Sequence, residues 1–344
     1  MVRLHVTGPS GVTRELDLPP SAPVSELKPL LEEAEGIPPA EQALSFCGAP
    51  LDDARSLADS GLGEDASLAL ARLEERFEMP RNRHGDPDFG RAIEDDLAAW
   101  RAAHPGARVA NLLDRELSAA DLGALRGVRG LRLIGCTLAP PTATFAPLAG
   151  LQALEIRHRH GDDPGLGAAL APLAGSLRSL TVRFAANLSD GDLAPLAGLE
   201  ELELVSCSRM TGECLGALGG RLRALRVHDC RAFDGAHLAR HPLPALEELG
   251  VIGHRGITDA HLAPLTGLRK LAARTCPRLT HAAWSPMRAL EDLDVSYNEQ
   301  LTDAGLDRAT LPALRVLRAE RCPVISAACC DALRAAGVEV RDGR

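Results

Sequence analysis

The chain has 344 residues, more than one typical domain, and 45% hydrophobic with 25% charged residues is the composition of an ordinary globular protein. Aromatic residues make up only 3%, so any core must be filled by Leu, Val and Ala. The net charge of −9 argues against a nucleic-acid partner, because residues 1–75 hold five Lys/Arg and fourteen Asp/Glu while the remainder is neutral.

The sequence predicts a cytoplasmic protein with no membrane partner. The first residues lack the basic and apolar regions of a signal peptide, and no stretch reaches the ~18 consecutive apolar residues of a membrane helix. The nine cysteines are an odd number spread over a long chain, which favours reduced thiols over a disulfide framework.

Residues 1–73 predict a β-β-α-β-β domain. Residues 1–6 and 12–18 alternate apolar and polar side chains around the turn Gly8 to Gly11, which predicts a β-hairpin. Residues 24–35 carry leucines at helical spacing, with Ser25 as the N-cap. Residues 43–46 and 67–73 predict two further strands.

Five runs of this domain resemble ubiquitin in register: residues 35–42 (EGIPPAEQ), 46–48 (FCG), 51–53 (LDD), 55–57 (RSL) and 67–70 (SLAL). The resemblance covers residues 1–73 and implies a ubiquitin-like β-grasp fold. Ubiquitin ends in a diglycine that is conjugated to other proteins, whereas here Leu73 continues into Glu74-Glu75-Arg76-Phe77. We therefore expect no conjugation through this domain.

The positions that resemble the apolar receptor-binding patch of ubiquitin are Leu44, Ser45, Ala69 and Ala71. Replacing large apolar groups by Ser and Ala removes most of the area that would anchor a partner at ~25 cal/mol per Å². We therefore expect that ordinary ubiquitin receptors do not recognise the patch. We expect the domain to be a docking or solubilising module with its own surface.

The segment between this domain and the repeats predicts a linker followed by a helix. Residues 74–90 are charged and interrupted by Pro80, Gly85 and Pro87, which is typical of a linker. Ile93, Leu97 and Trp100 then follow helical spacing, so residues 91–108 predict an amphipathic helix that caps the repeats. A partner-binding helix is the alternative.

A repeat of 21 to 26 residues fills the remainder of the chain. Pairs of the form Leu-x-Leu recur from Leu131/Leu133 to Val338/Val340, and Val109/Asn111 begins the series one repeat earlier. Each pair predicts a short strand with alternate residues buried, followed by a helical segment. Thr-Asp pairs such as Thr258-Asp259 predict caps for those helices.

Five residues after the first Leu of each pair lies a second column of residues: Cys136, Arg159, Ala185, Cys207, Cys230, His254, Cys276, Asn298 and Cys322. Together with Leu-x-Leu and Leu-Thr-Asp, the column resembles the cysteine-containing leucine-rich repeats. The resemblance covers about 109–344. It implies an α/β solenoid of about ten or eleven repeats, a horseshoe with a parallel concave sheet, in which the column residues cap backbone amides in the turn. The whole chain is then of the α+β class.

Metal binding and catalysis find little support. Cys207, Cys230, His254 and Cys276 are zinc-binding residue types, but stacked strands place them along a line at ~4.8 Å, which does not close a tetrahedron. We therefore predict no metal and no cofactor. His158-Arg159-His160 predicts a solvated loop rather than a catalytic cluster. No Gly-rich phosphate loop or Gly-x-Ser-x-Gly elbow is present, so the chain is predicted not to be an enzyme.

The residues that flank the buried leucines are predicted to line the concave face. Its basic members are Arg132, Arg157, Arg183, Arg226, His228, Arg274 and Arg318. Guanidinium groups suit the recognition of carboxylates or phosphates, although the same charges could simply solvate the strands and pair across them.

These observations predict a non-catalytic adaptor that binds a protein partner through the concave face, with the ubiquitin-like domain as a second docking module. The alternatives are a substrate-recognition or regulatory component of a ubiquitin-like pathway and an enzyme of unknown type. In eukaryotes, cysteine-containing repeats are common in substrate-binding subunits of ubiquitin ligases. Charge alone also predicts an intramolecular contact between acidic residues 1–75 and the repeats.

Overall fold

A computed structural model describes residues 2–8, 12–35, 42–46, 49–53, 55–63, 65–72, 88–93, 96–139, 144–159 and 166–343. The side chains of residues 33–35, 43, 49–50 and 71–72 are outside this description. The chain divides into two units, Met1–Glu78 and Met79–Arg344. No helix of the described ranges is long and apolar enough to cross a membrane.

The first unit has the predicted β-grasp arrangement. Its elements are β1 (Val2–Thr7), β2 (Thr13–Leu18), α1 (Leu27–Glu35), β3 (Gln42–Phe46), β4 (Ala49–Pro50) and β5 (Ala66–Arg72). In the described part of the unit the strands form one mixed sheet in the order β2-β1-β5-β3-β4. Strands β1 and β5 are parallel, and the other pairs are antiparallel.

Alternation of apolar and polar residues builds the core of this unit. Leu4 and Val6 of β1 and Leu68 of β5 are buried against Leu27 and Leu31 of α1. The predicted N-cap Ser25 is wrong, because a 3-10 turn over Val24–Glu26 precedes the α-helix and begins after Pro23. The predicted turns at residues 9–11 and 36–41 and most of the linker at 74–90 lie outside the described residues.

The second unit is built on a long parallel sheet. Its eleven strands in the described residues are β6 (Val109–Leu113), β8 (Gly130–Ile134), β10 (Ala153–Arg157), β11 (Ser179–Arg183), β12 (Glu201–Val205), β13 (Ala224–His228), β14 (Glu248–Ile252), β15 (Lys270–Ala272), β16 (Asp292–Asp294), β17 (Val316–Arg318) and β18 (Glu339–Arg341). They pair in the order β18-β17-β16-β15-β14-β13-β12-β11-β10-β8-β6. The short strands β7 (Glu116–Leu117) and β9 (Thr137–Leu138) form a separate parallel pair.

The register of this sheet follows the predicted Leu-x-Leu pairs except at both ends. Leu131, Leu154 and Leu180 are consecutive partners, and the series continues to Leu317. At the first strand the partner of Leu131 is Ala110, so the predicted pair Val109/Asn111 is wrong by one residue. At the last strand the partner of Leu317 is Val340 rather than Val338.

Short helices follow the strands and pack on one side of the sheet. They are α2 (Leu97–Ala103), α3 (Ala119–Ala124), α4 (Leu166–Leu170), α5 (Asp190–Leu193), α6 (Leu215–Leu218), α7 (Ala236–Arg240), α8 (Asp259–Leu262) and α9 (Ala327–Ala335), with 3-10 turns at Ala146–Leu148, Ala171–Leu173 and His281–Ala283. Their leucines and those of the strands form one continuous core. Because neighbouring repeats share this core, each repeat is stabilised mainly by the next.

The first helix of this unit is shorter than the predicted 91–108. It begins at Leu97, where the Asp96 side chain accepts hydrogen bonds from the Ala98 and Ala99 amides. Ile93 instead forms a parallel bridge with Leu112, and its amide donates to the Asn111 carbonyl at 2.8 Å. Residues 88–93 therefore extend the first edge of the sheet before the helix starts.

Candidate functional site

Nine of the turns that follow strands of the long sheet contain a residue in the left-handed conformation, among the residues that the structure describes. These residues are Asp114, Gly135, Phe184, Ser206, Asp229, Gly253, Thr275, Tyr297 and Arg321. The conformation turns the amide toward the next strand: Phe184 N donates to Val205 O and Ser206 N to His228 O, both at 2.9 Å. The left-handed conformation is required by this backbone hydrogen bond, so it applies to whatever residue type occupies the position.

The following position forms a hydrogen-bonded ladder along the stack. We call Cys207, Cys230, His254, Cys276, Asn298 and Cys322 the ladder column. Each donates to a carbonyl of the preceding strand or the residue just after it, respectively Val182 (3.6 Å), Leu204 (3.7 Å), Val227 (3.0 Å), Val251 (2.9 Å), Ala273 (2.7 Å) and Val295 (3.2 Å). Burial raises the pKa of the Cys276 thiol to about 11, so it remains a protonated donor at neutral pH.

The ladder differs from the predicted role in one respect. We predicted that the column caps backbone amides, but the bonds common to the six residues are donated to carbonyls. Two ladder residues also accept a hydrogen bond from a backbone amide: Asn298 Oδ1 accepts from Cys276 N (2.7 Å), and Cys230 Sγ accepts from Cys207 N (3.4 Å). Among the described residues no group of three or more His, Cys, Asp or Glu side chains is placed to hold a metal ion.

Arg159 and His158 do not have the environments predicted for them. Arg159 is exposed and pairs with Asp114 instead of joining the column. Its neighbour His158 is buried rather than part of a solvated loop, while His160 lies outside the described residues. The aspartate of the predicted Thr-Asp cap also acts across repeats, because Asp259 accepts hydrogen bonds from the amide and hydroxyl of Thr280 in the next turn.

All seven predicted basic residues lie on the side of the sheet away from the helices, which we call the open face. Five of the arginines pair with a carboxylate on a neighbouring strand. The pairs are Arg132–Glu155 (3.3 Å), Arg183–Glu203 (2.7 Å), Arg226–Glu248 (2.6 Å), Arg274–Asp294 (3.4 Å) and Arg318–Asp292 (2.5 Å). Each such pair is worth ~0–1 kcal/mol, so these charges mainly fix one another in place.

His228 also belongs to the open face. Its side chain is half-buried, and burial lowers its pKa below the ordinary value of 6.5. Gly250 on the next strand leaves room for it, since a Cβ at that position would lie 3.2 Å from His228 Nε2. Burial therefore favours the neutral form of His228.

Phe184 and Tyr297 are functional candidates that the sequence reasoning missed. Both are exposed, at 39% and 44%, and both occupy the left-handed turn position, with φ of 62° and 63°. That conformation costs an L-residue ~1–2 kcal/mol, which a glycine would avoid. Arg157 lies over Phe184 and Arg274 over Tyr297, each guanidinium carbon within 6 Å of the ring centre, at 5.8 and 5.7 Å.

The sequence does contain a signal for these two aromatic residues. They occur in a chain with only 3% aromatics, at a turn position otherwise filled by Ser, Asp, Gly, Thr or Arg. Exposed aromatic side chains next to arginine are typical of the residues that anchor protein partners. Two exposed rings thus lie beside arginines of the open face, whereas the ring in the contact of Arg132 with Phe89, at 5.8 Å, is buried.

Only some residues of the predicted patch of the first unit lie on its surface. Ser45 is opposite Ala69 in the β3–β5 pair, and Ala69 is exposed. Leu44 is wrong as a patch residue, because it is 3% exposed and belongs to the core. Ala71 pairs with Ala43, and both side chains lie outside the described residues. The described surface at these positions is therefore small and weakly apolar.

Comparisons with known proteins concern the first unit. A model of the ubiquitin family matches residues 4–74. The NEDD8-like protein RUB1 of Saccharomyces cerevisiae is 41% identical over 61 residues, which cover 18% of this chain and 79% of that protein. The family match spans the β-grasp domain described above.

Proposed function

Because the chain belongs to the ubiquitin family through its N-terminal unit, we propose that it is a non-catalytic cytoplasmic adaptor. The second unit binds a protein partner through its open face, and the ubiquitin-like domain is a second docking module. This division of roles is supported by two separate hydrophobic cores, one in each unit.

The second unit is, in this proposal, a stack of cysteine-containing leucine-rich repeats. Three features support it: leucines in register along a parallel sheet, a helical segment after most strands, and the ladder column. Stacks of this kind expose one long surface on which a partner contacts several repeats at once.

The observation that carries the binding role is the pair of strained, exposed aromatic residues, Phe184 and Tyr297. Neither ring is needed for the left-handed turn, which glycine forms at lower cost. Strained residues of this kind persist where the surrounding structure holds them, and they cluster at functional sites. Their rings present apolar area beside a cation, the combination that anchors partners in many interfaces.

The test is affinity purification of the full-length protein from native lysate, followed by mass spectrometry. The variant F184A/Y297A removes both rings, and the control V12A/V324A removes two apolar side chains that are slightly more exposed, at 46% and 52%. We expect proteins captured by the wild type to be lost with F184A/Y297A and kept with the control. The proposal is wrong if both variants capture the same proteins as the wild type.

A second candidate function is a recognition or regulatory role in a ubiquitin-like pathway, which the similarity to RUB1 favours. In that role the first unit is recognised through the surface at Ser45 and Ala69. The variant S45R/A69R would then abolish capture of ubiquitin-handling enzymes and leave the partners of the open face in place. Capture that is independent of this substitution would exclude the candidate.

A further inference from the structure

A cleft of about 810 Å³ lies where the turns after β12, β13 and β14 meet. Ser206 and Ser208, Asp229, Arg231, Phe233 and Arg255 are among the residues that line it. Its volume is in the range of ligand sites, and it is distinct from the rings of the open face because neither Phe184 nor Tyr297 contributes to it.

Arginines follow four consecutive strands at this edge of the sheet. Arg231 and Arg255 line the cleft directly after the ladder residues that follow β13 and β14, and Arg209 and Arg278 lie two residues after the ladder residues that follow β12 and β15; we call the four the arginine row. All four are exposed, and none forms a salt bridge with a residue of the described ranges. This contrasts with the open face, where five arginines are already neutralised by carboxylates.

Unpaired guanidinium groups in a row attract an anionic ligand that brings several carboxylates or phosphates. Asp229 restricts the choice, because it lines the cleft together with Arg231 and Arg255 and its carboxylate would repel a continuous polyphosphate. A peptide brings backbone N–H groups that a carboxylate can accept, and Phe233 offers partly buried apolar area for one of its side chains.

We propose that the arginine row and its cleft bind an extended acidic segment of a protein partner. Four neighbouring parallel strands at ~4.8 Å span ~14 Å, and three carboxylates at alternate residues of an extended peptide, ~6.6 Å apart, span about the same distance. The matching sequence is one with Asp or Glu at every second position over about six residues. This site is separate from the open face and does not depend on the adaptor proposal.

The test is fluorescence anisotropy of the full-length protein at 50 mM NaCl. The probe is a fluorescein-labelled ten-residue peptide of alternating aspartate and alanine, and the comparison peptide has asparagine in place of aspartate. We expect binding of the acidic peptide only, at least tenfold weaker for R231E/R255E and weakened by 300 mM NaCl. The matched control R221E/R240E makes the same charge change at exposed arginines outside the row and should alter the affinity less than twofold.

Three results would overturn the proposal: no binding of the acidic peptide at 1 mM protein, equal loss in both double variants, or a single-stranded DNA ten-mer that binds as tightly as the peptide. The milder variant R231Q/R255Q guards against misfolding, and its thermal unfolding should match that of the wild type. F184A/Y297A should bind the peptide normally, which separates this site from the partner site of the open face.

Discussion

Asn298 offers the sharpest test of the ladder column, because its amide group makes three buried hydrogen bonds. Nδ2 donates to Ala273 O at 2.7 Å and to Val295 O at 2.8 Å, and Oδ1 accepts from Cys276 N at 2.7 Å. The side chain is only 2% exposed. Asn298→Ala therefore removes all three bonds without giving water free access to the groups left behind.

The three losses are not equal. Val295 O keeps a second donor, the Cys322 thiol at 3.2 Å, whereas the Cys276 amide and the Ala273 carbonyl lose the bonds just described. A buried polar group left without a partner costs ~1–3 kcal/mol. Two such groups predict that Asn298→Ala lowers the free energy of unfolding of the second unit by about 3 kcal/mol.

The assay is urea unfolding at pH 7, followed by tryptophan fluorescence. Both tryptophans belong to the second unit, and Trp284 is fully buried after the 3-10 turn His281–Ala283, between β15 and β16. Asn298→Cys should lose less than Asn298→Ala, because thiols at other ladder positions make the carbonyl bond. The exposed Asn187 is the control, and its Ala variant should stay within about 0.5 kcal/mol of the wild type. A loss below 1 kcal/mol for Asn298→Ala would refute the reasoning that the ladder satisfies the turn.

Three further predictions concern the same turns. Gly253→Ala should lower the free energy of unfolding by about 1–2 kcal/mol, because the φ of 81° at this position is unfavourable for alanine and the new Cβ would lie 2.1 Å from Asp229 Oδ1. The control is Gly256→Ala, whose Cβ meets no atom within 4 Å and which should leave the free energy of unfolding nearly unchanged in the same urea assay. Burial lowers the pKa of His254 below 6.5, so stability is complete above pH 6.5 and falls as the pH drops below it; His254→Asn should flatten that decline in unfolding midpoints measured from pH 7.5 to 5. Burial alone would raise the pKa of Asp190, but the hydrogen bonds that its carboxylate accepts from the next turn lower the pKa below 3.8. The stabilisation by Asp190 is therefore present above pH 3.8 and is lost on further acidification. Asp190→Asn should destabilise the protein at pH 7 and remove part of the acid sensitivity in thermal melts between pH 5 and 2.5. An unchanged pH profile in either variant would contradict the corresponding assignment.

The sequence predicted the interior of both units better than their ends. Period-two and repeat patterns located β1, β2 and the strands from Leu131 to Leu317, because each buried leucine is surrounded by neighbours of the same kind. At the first strand one side of the sheet is not formed by a repeat, and Asn111 bonds to the Gly90 carbonyl at 3.0 Å instead. Periodicity carries no information about such a non-repeating neighbour, so the register there was missed by one residue.

Side-chain pairing was harder to predict than position. The sequence placed Arg183 and Arg226 on the correct face, but whether an arginine is neutralised depends on which carboxylate the register puts beside it. The register puts Glu203 opposite Thr181, so its ion pair with Arg183 is diagonal and does not follow from the alignment alone. The conformation of Phe184 and Tyr297 could not be read from propensity, since both residue types disfavour the left-handed region.

The ladder explains why binding sites can develop in this unit at little structural cost. Within the six turns that contain a ladder residue, the left-handed residue and the ladder residue satisfy the backbone, so the next one or two positions carry no structural hydrogen bond that these turns must keep. Those positions hold Arg209 and Arg231 in some repeats and Glu299 or Val324 in others. Since stability depends on the shared core and the ladder, substitutions in the arginine row should change binding without changing the unfolding midpoint. A substitution at Asn298 should do the reverse, lowering the midpoint while leaving the chemistry of the exposed surface unchanged.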